Sequence, residues 1–285
     1  MAARIAPRRM MAAVTEALRP EQTQVDARNA AFWDELGGTH LARELGIHTV
    51  DRDSVRRFDE AYMRIYPYLR GYLELDRVRG LEVLEIGLGY GTVGQLLAQA
   101  GAVYHGLDIA DGPVEMMRQR LRWEGLDGEE RVRQGSALSL PYEDSSLDRV
   151  VSIGCLHHTG DTARGVSEVH RVLRRGGRAL VMLYNRHSLR QLTQRLRARI
   201  TRRRDRDEWL RGRYDWNAAG EAAPHVDYVS RRQVREMFRE FERVDTDVRN
   251  FDGLRYGPIG VPRELFLNNI ARVAGVDLYI VADKA

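Results

Sequence analysis

The chain has one cysteine, Cys155, in 285 residues. A single thiol cannot build an internal disulfide framework or a cysteine-rich zinc cluster, so the core must hold the fold and the cytoplasm is the expected compartment. Lysine is equally scarce: of 45 basic side chains only Lys284 is a lysine, and against 41 acids the formal charge is +4. So small an excess, spread as a general arginine bias, gives no ground for a nucleic-acid partner. No apolar run approaches the roughly 20 residues needed to span a bilayer. The basic stretch from Met1 to Pro20 lacks the apolar centre of a secretory leader and reads as a loose or helical arm. No internal repeat or low-complexity tract is present.

What remains is ample for one α/β domain with an added cap: 43% of the residues are hydrophobic. Before Gly80 the apolar spacing is helical, over Phe32 to Leu36, Leu41 to Leu45, and Ser54 to Leu73, the last kinked or divided by Pro67. From Leu81 short β-rich runs alternate with amphipathic helices, the pattern of a parallel sheet covered on both faces. Strands are expected over Glu82 to Gly87, Val103 to Asp108, Arg131 to Gly135, Asp148 to Ile153 and Arg178 to Tyr184. Helices are expected over Val93 to Ala100, Pro113 to Trp123 and Ala163 to Leu173, the last stopped by Gly176 and Gly177. A polar, arginine-dense stretch from Asn185 to His225 interrupts the alternation. It resumes with a helix at Ser230 to Phe241, a strand at Arg243 to Val248, a helix at Pro262 to Val273 and a strand at Gly275 to Ala282.

The first strand ends on an acid and turns through alternate glycines into a helix: Glu85, Ile86, Gly87, Leu88, Gly89, Tyr90, Gly91, Thr92. Such a turn needs backbone angles only glycine adopts freely, and it lets a ligand approach the main chain with no β-carbon in the way. Asp108 ends the second strand, where a carboxylate can bind both hydroxyls of a ribose. These features imply a nucleoside ligand without choosing one. Gly89, Gly91 and Gly94 also satisfy a dinucleotide fingerprint, so S-adenosylmethionine and NAD both remain open here.

The block from Gly135 and Ser136 through Leu140, Pro141 and Tyr142 to Asp148 and Ser152 adds discrimination. It continues through Gly154, Cys155, Leu156, His157, His158 and Thr159 to Glu168, His170, Arg171, Leu173, Gly176 and Gly177. In order and spacing, the span from Leu81 to Asn185 resembles the S-adenosylmethionine-dependent methyltransferase superfamily that includes the ubiquinone and menaquinone biosynthesis enzymes. The resemblance implies a Rossmann-like α/β fold with a seven-stranded, mostly parallel sheet whose last strand is antiparallel. Residues 1–79 would form an N-terminal helical cap and residues 80–285 the methyltransferase domain, with 186–229 a lid-like helical insertion. It implies S-adenosyl-L-methionine as cofactor, with Glu85, Gly87, Gly89 and Gly91 at the methionine end. Asp108 would hold the ribose, Ile109, Ser136 and Ala137 the adenine, and Gly154 would lie beside the cofactor. Arg64 and Tyr66 fall where related enzymes bring a basic or tyrosine side chain over it. Ser136 departs from the family, which commonly has an acid there to accept from the adenine amino group. A serine accepts only as a neutral group.

Methyl transfer from a sulfonium needs positioning, water exclusion and sometimes removal of a proton. His157 and His158 follow the fourth strand, where ligands of open α/β sheets sit, and are the candidate bases; the alternative is a structural histidine pair at a helix entry. Adjacent histidines there do not chelate a metal together, and none is expected. Tyr184, Asn185 and Tyr228 are candidate acceptor contacts, equally readable as packing and turn residues.

In the insertion Leu189, Leu192, Leu196 and Ile200 form an apolar stripe, flanked by Arg190, Arg195, Arg197, Arg199, Arg202, Arg203 and Arg204. The simplest reading is a lid helix packed on the domain through its leucines; a surface for an anionic substrate and peripheral membrane contact are the others. The expected activity is methylation of a small molecule, at oxygen ahead of nitrogen or carbon. The alternatives are a lipid or quinone-like acceptor, an NAD(P)-dependent oxidoreductase, and a non-catalytic S-adenosylmethionine-binding protein.

Overall fold

The computed structural model describes residues 20–35, 40–202, 205–251, 254–256 and 259–285. The expected arm before Pro20, Leu36 of the first expected helix, and Arg203 and Arg204 of the basic stripe lie outside these. Four helices precede the sheet: α1 (Pro20–Trp33), α2 (His40–Glu44), α3 (Arg52–Ile65) and α4 (Leu69–Leu73). Asp51 and Ser54 start α3 by capping each other's backbone reciprocally, and Pro67 separates α3 from α4 as its missing N–H requires.

The alternating region builds β1 (Glu82–Ile86), α5 (Thr92–Gln99), β2 (Val103–Asp108), α6 (Asp111–Glu124), β3 (Val132–Gln134), β4 (Leu147–Ile153), α7 (Thr162–Val172) and β5 (Leu173–Asn185). The insertion carries α8 (Leu189–Ile200) and α9 (Arg206–Arg211). After these helices come β6 (Tyr228–Val229), α10 (Arg231–Met237), β7 (Arg243–Arg249), the hairpin β8 (Leu254–Tyr256) and β9 (Ile259–Val261), α11 (Ala271–Ala274) and β10 (Asp277–Asp283).

Seven strands run in the order β3-β2-β1-β4-β5-β10-β7, and the two-residue β6 pairs with β5. β1 is parallel to both β2 and β4, so the strand order reverses beside it and opens a crevice at the carboxyl ends of β1 and β4. β10 is antiparallel to β5 and β7, as expected of the last strand.

Alternation along the strands splits the core into two layers. Leu84, Ile86, Val150, Val181 and Leu183 meet Val166, Val169 and Val234 of α7 and α10 on one face. Val83, Val151, Leu180 and Met182 meet Leu69, Leu97, Met117 and Leu121 of α4, α5 and α6 on the other. A third cluster joins Val55 and Phe58 of α3 to Tyr90 in the glycine turn and Met116 of α6, with Phe58 and Tyr90 stacked at 3.9 Å.

Four expectations are corrected. Gly176 and Gly177 do not stop α7: the chain turns extended at Leu173 and both glycines lie in β5. The end of α7 is closed instead by Lys284, whose ammonium donates to the carbonyls of His170 and Leu173 at 2.7 Å. The helix expected to run to Phe241 ends at Met237. The expected helix over Pro262 to Val273 is a 3-10 turn followed by the short α11, because the Asn269 side chain takes the Ile270 N–H and no continuous apolar face is buried: Leu265, Ile270 and Val273 are exposed. Finally, α8 does not pack through its leucines. Gln191 and Ala198 face inward, while Leu192, Leu196 and Ile200 are 66%, 56% and 71% exposed. Among the described residues no helix is long and apolar enough to cross a membrane.

Candidate active site

A cavity of about 370 Å³ occupies the crevice. Its floor is the turn after β1, and the glycines there answer to different constraints. Gly89 has φ +49°, and a β-carbon on it would meet nothing within 4 Å, so the main chain is bare to the cavity. Gly87 has no such room: a β-carbon would collide with Cys155, so its role is the close approach of the loops after β1 and β4. At Gly91, which does not line the cavity, a β-carbon would fall 2.8 Å from Arg120 Cδ and 2.9 Å from Met117 Sδ.

Glu85 lies at the base of the cavity, almost fully buried, and accepts from the Tyr104 hydroxyl at 2.6 Å. Burial pushes its carboxyl up to about 8 against the pull of that hydrogen bond, and the nearby Asp108 adds to the rise. A cation in the cavity would draw it back down. Asp108 accepts from the backbone N–H of Leu88 at 2.7 Å and of Ala110 at 3.0 Å, which fixes the glycine turn and leaves lone pairs for a ligand. Burial raises its carboxyl also, opposed by these backbone donors.

One wall is formed by Ile109, Ser136 and Ala137, another by Gly154, Cys155 and His158. The roof comes from the N-terminal helices: Asp26, Asn29 and Trp33 of α1, with Phe58, Tyr62 and Ile65 of α3 and the adjoining Tyr66. Arg64 is exposed and faces away from the cavity, one helical position out of phase with Ile65. α1 is latched by Gln22 to the Thr159 carbonyl and by Asn29 to the His158 carbonyl, and just past its end by Asp34 to the Gly112 N–H, each at 2.7 Å. α3 is latched through Asp59, which accepts from Thr92 Oγ1 at 2.6 Å and from the buried Arg120 at 2.8 and 2.9 Å.

The two histidines part company. His157 is fully buried outside the cavity lining, neither ring nitrogen has a hydrogen-bond partner among the described residues, and burial holds it well below its ordinary range. His158 lines the cavity, and its Nδ1 lies 2.8 Å from the His225 carbonyl. A carbonyl only accepts, so Nδ1 carries the proton and Nε2 presents its lone pair. Nε2 lies 3.7 Å from a carboxylate oxygen of Asp215, which receives the Tyr184 hydroxyl at 3.1 and 3.2 Å. Burial pushes His158 down and Asp215 up, and each partner opposes the other's shift.

Tyr184 is outside the lining and reaches the site through Asp215 and through an edge-on contact with the His158 ring at 5.9 Å. Tyr228 is one shell further out, packed on Tyr184 and Tyr214. Asn185 is turned away, its amide on the Gly275 carbonyl and its oxygen on the His187 N–H. The sequence reading missed Asp26, Asn29, Trp33, Tyr62, Tyr214, Asp215 and Trp216, all in the lining. The spacing of Asp26, Asn29 and Trp33 on one helical face was the available signal.

Residues 84–181 match the family model described as a methyltransferase domain. Over residues 84–181 this chain carries a methyltransferase domain. Methyltransferase GfsG of Streptomyces halstedii is 35% identical to it over 132 residues, 46% of this chain and 47% of the relative. The 27-O-demethylrifamycin SV methyltransferase of Amycolatopsis mediterranei is 32% identical over 52% of this chain and 53% of its own. Demethylmenaquinone methyltransferase of Clavibacter sepedonicus is 33% identical over 36% and 41%. The chain thus spans about half the length of the curated relatives it matches. Magnesium protoporphyrin IX methyltransferase from Synechocystis, solved with bound S-adenosylhomocysteine, shares the fold at 14% identity and a TM-score of 0.51, covering 93% of this chain and all of that one.

The methyltransferase domain decides the glycine turn in favour of S-adenosylmethionine over NAD, and the cavity fits that group. The bare main chain at Gly89 leaves room for an amino-acid end, and the desolvated Glu85 carboxyl suits an ammonium. Gly94, which the dinucleotide register would also use, serves packing here: a β-carbon on it would strike Tyr104 and Glu85.

Proposed function

We propose that this protein methylates a hydroxyl oxygen of a small-molecule acceptor in the cytoplasm, with residues 1–79 as cap, 80–285 as the methyltransferase domain and 186–229 as a lid-like insertion. The observation that carries the reading is the lone pair of His158 Nε2 at the cavity wall, backed by Asp215 and Tyr184. When bound, S-adenosylmethionine supplies a methyl group on a positively charged sulfur. Glu85 would hold its ammonium, Gly87 and Gly89 its methionine end, Asp108 its ribose, and Ile109 and Ala137 its base. The remaining work falls to the chain. Trp33, Tyr66, Tyr214 and Trp216 surround the acceptor space with rings that exclude water and orient an apolar body. His158 Nε2 takes the acceptor's proton as the oxygen attacks, and the neighbouring carboxylate stabilises the imidazolium that results. The 27-O position in one relative's name supports oxygen as the atom methylated.

A second reading, that the acceptor is a lipid or quinone-like molecule met at an anionic bilayer, is favoured by α8. Its outward stripe of Leu192, Leu196 and Ile200 is accompanied by Arg190, Arg195, Arg197 and Arg199, and no acid lies between Leu189 and Ile200.

Isothermal titration with S-adenosylhomocysteine, with NADH in parallel, tests the cofactor; transfer of labelled methyl to a panel of phenols, quinols and hydroxylated polyketides tests the acceptor. Binding of S-adenosylhomocysteine alone, with turnover on a hydroxyl acceptor, is the expected result. Binding of NADH instead would overturn the reading, and cofactor binding without turnover on any acceptor would favour a sensor.

A further inference from the structure

The corner of the cavity beyond Ile109 and Ala137 holds an acid from outside the sheet. Asp26 of α1 reaches the lining, its Oδ1 accepting from Gln22 Nε2 at 2.7 Å and its Oδ2 from Ser136 Oγ at 2.9 Å. The Ser136 hydroxyl is thereby committed: its one proton goes to Asp26, and its oxygen accepts from the Leu138 N–H at 3.3 Å. Each carboxylate oxygen of Asp26 keeps a lone pair unused, and among the described residues no arginine pairs with it. The strongest acceptor at this end of the cavity is therefore a half-buried carboxylate on the N-terminal helix, set beside the apolar faces of Ile109, Pro113 and Ala137.

Apolar walls with one anionic acceptor at the rim fit a flat heteroaromatic ring bearing an exocyclic amine. We infer that Asp26 is the residue that recognises the 6-amino group of the cofactor's adenine, with Ser136 and Gln22 orienting its carboxylate. The inference rests on the cofactor reading above. It also gives α1 a second task. The helix that would read the base carries Asn29, which holds the His158 carbonyl, and Trp33, whose ring lies 4.9 Å from that of His158. Seating the adenine would thus steady the wall of the acceptor space.

The test compares S-adenosylhomocysteine with S-inosylhomocysteine, in which a carbonyl replaces the amine, by isothermal titration on the full chain. The wild-type protein is expected to prefer the adenosyl compound by at least about 10-fold, since a carboxylate donates nothing to a carbonyl. Asp26→Asn preserves shape and can donate, so its preference should fall to about 1 or reverse, while Ser136→Ala keeps most of the discrimination. An unchanged preference in Asp26→Asn, with an unchanged Tm showing that the fold is intact, would overturn the assignment. If the wild-type protein binds neither compound, the cofactor reading itself is at fault and the assignment falls with it.

Discussion

The guanidinium of Arg120, with no exposed side-chain surface, grips both carboxylate oxygens of Asp59 at 2.8 and 2.9 Å. This pair ties α3 to α6 beneath the glycine turn, and Thr92 at the start of α5 joins it through Asp59.

Removing one partner should therefore cost more than the surface pairs of this chain would. Asp59→Ala leaves a buried, uncompensated guanidinium and is expected to lower stability by about 3 kcal/mol, whereas loss of the exposed Arg56–Glu60 pair should leave stability nearly unchanged. Urea unfolding of the two variants measures the difference; equal midpoints would show that the buried pair anchors nothing.

The glycines of the turn should separate binding from folding. Gly89→Val points a side chain into open cavity, so it should abolish S-adenosylhomocysteine binding while the Tm falls only by the modest strain of a positive φ. Gly91→Val drives its side chain into Arg120 and Met117 and should fail chiefly in stability. Thermal unfolding and titration on both proteins distinguish these fates.

Glu85 gives a pH dependence of definite sign. Its carboxyl titrates at about 8 in the folded chain and near 4.3 when unfolded, so the folded state binds the extra proton between those values. Its contribution to stability is fully present below pH 4 and is lost as pH rises through 8. Cofactor binding runs the other way, because an ammonium ligand wants the ionised form: affinity for S-adenosylhomocysteine should rise from pH 6 to 8.5. Glu85→Gln should bind more weakly and flatten both profiles, and a Gln variant that retained the slopes would place their origin elsewhere.

His158 and His157 should respond differently. Once an acceptor is known, His158→Ala is expected to lower kcat about 100-fold or more, and Tyr184→Phe by a smaller factor through Asp215. His157→Phe, at a buried position with no hydrogen bond to lose, should leave kcat near the wild-type value. A reversed order would move the base to the other imidazole.

The outward face of α8 predicts binding to phosphatidylglycerol vesicles and not to phosphatidylcholine ones, weakening with salt and lost in Leu192→Glu with Leu196→Glu. Sedimentation with each vesicle type reads this directly. Equal binding to neutral vesicles, or none to either, would remove the bilayer from the account.

Much of the sheet was legible because its signals are local. Val83, Leu84 and Ile86 read as a buried strand from their apolar run, and the glycines after them can be recognised without any partner. What the sequence concealed depends on distant pairs. Asp26 acquires its role from Ser136, 110 residues away, and α1 has no apolar stripe to announce which side is covered. Asp215 sits in a polar stretch that reads as solvent-facing until the fold brings it to His158 and Tyr184. The stripe on α8 was visible as periodicity, but periodicity says only that an apolar side exists. The buried Gln191 and Ala198 show which side the domain took.

Lys284 is the chain's one side-chain primary amine, and it is spent on closing α7. An amine-reactive label can therefore attach to a side chain at a single address, and in the folded state that half-buried ammonium is held by two carbonyls. Protection of Lys284 becomes a gauge of whether β10 remains seated against β5 and β7. The rate at which it is labelled would report how often the last strand of the sheet lets go.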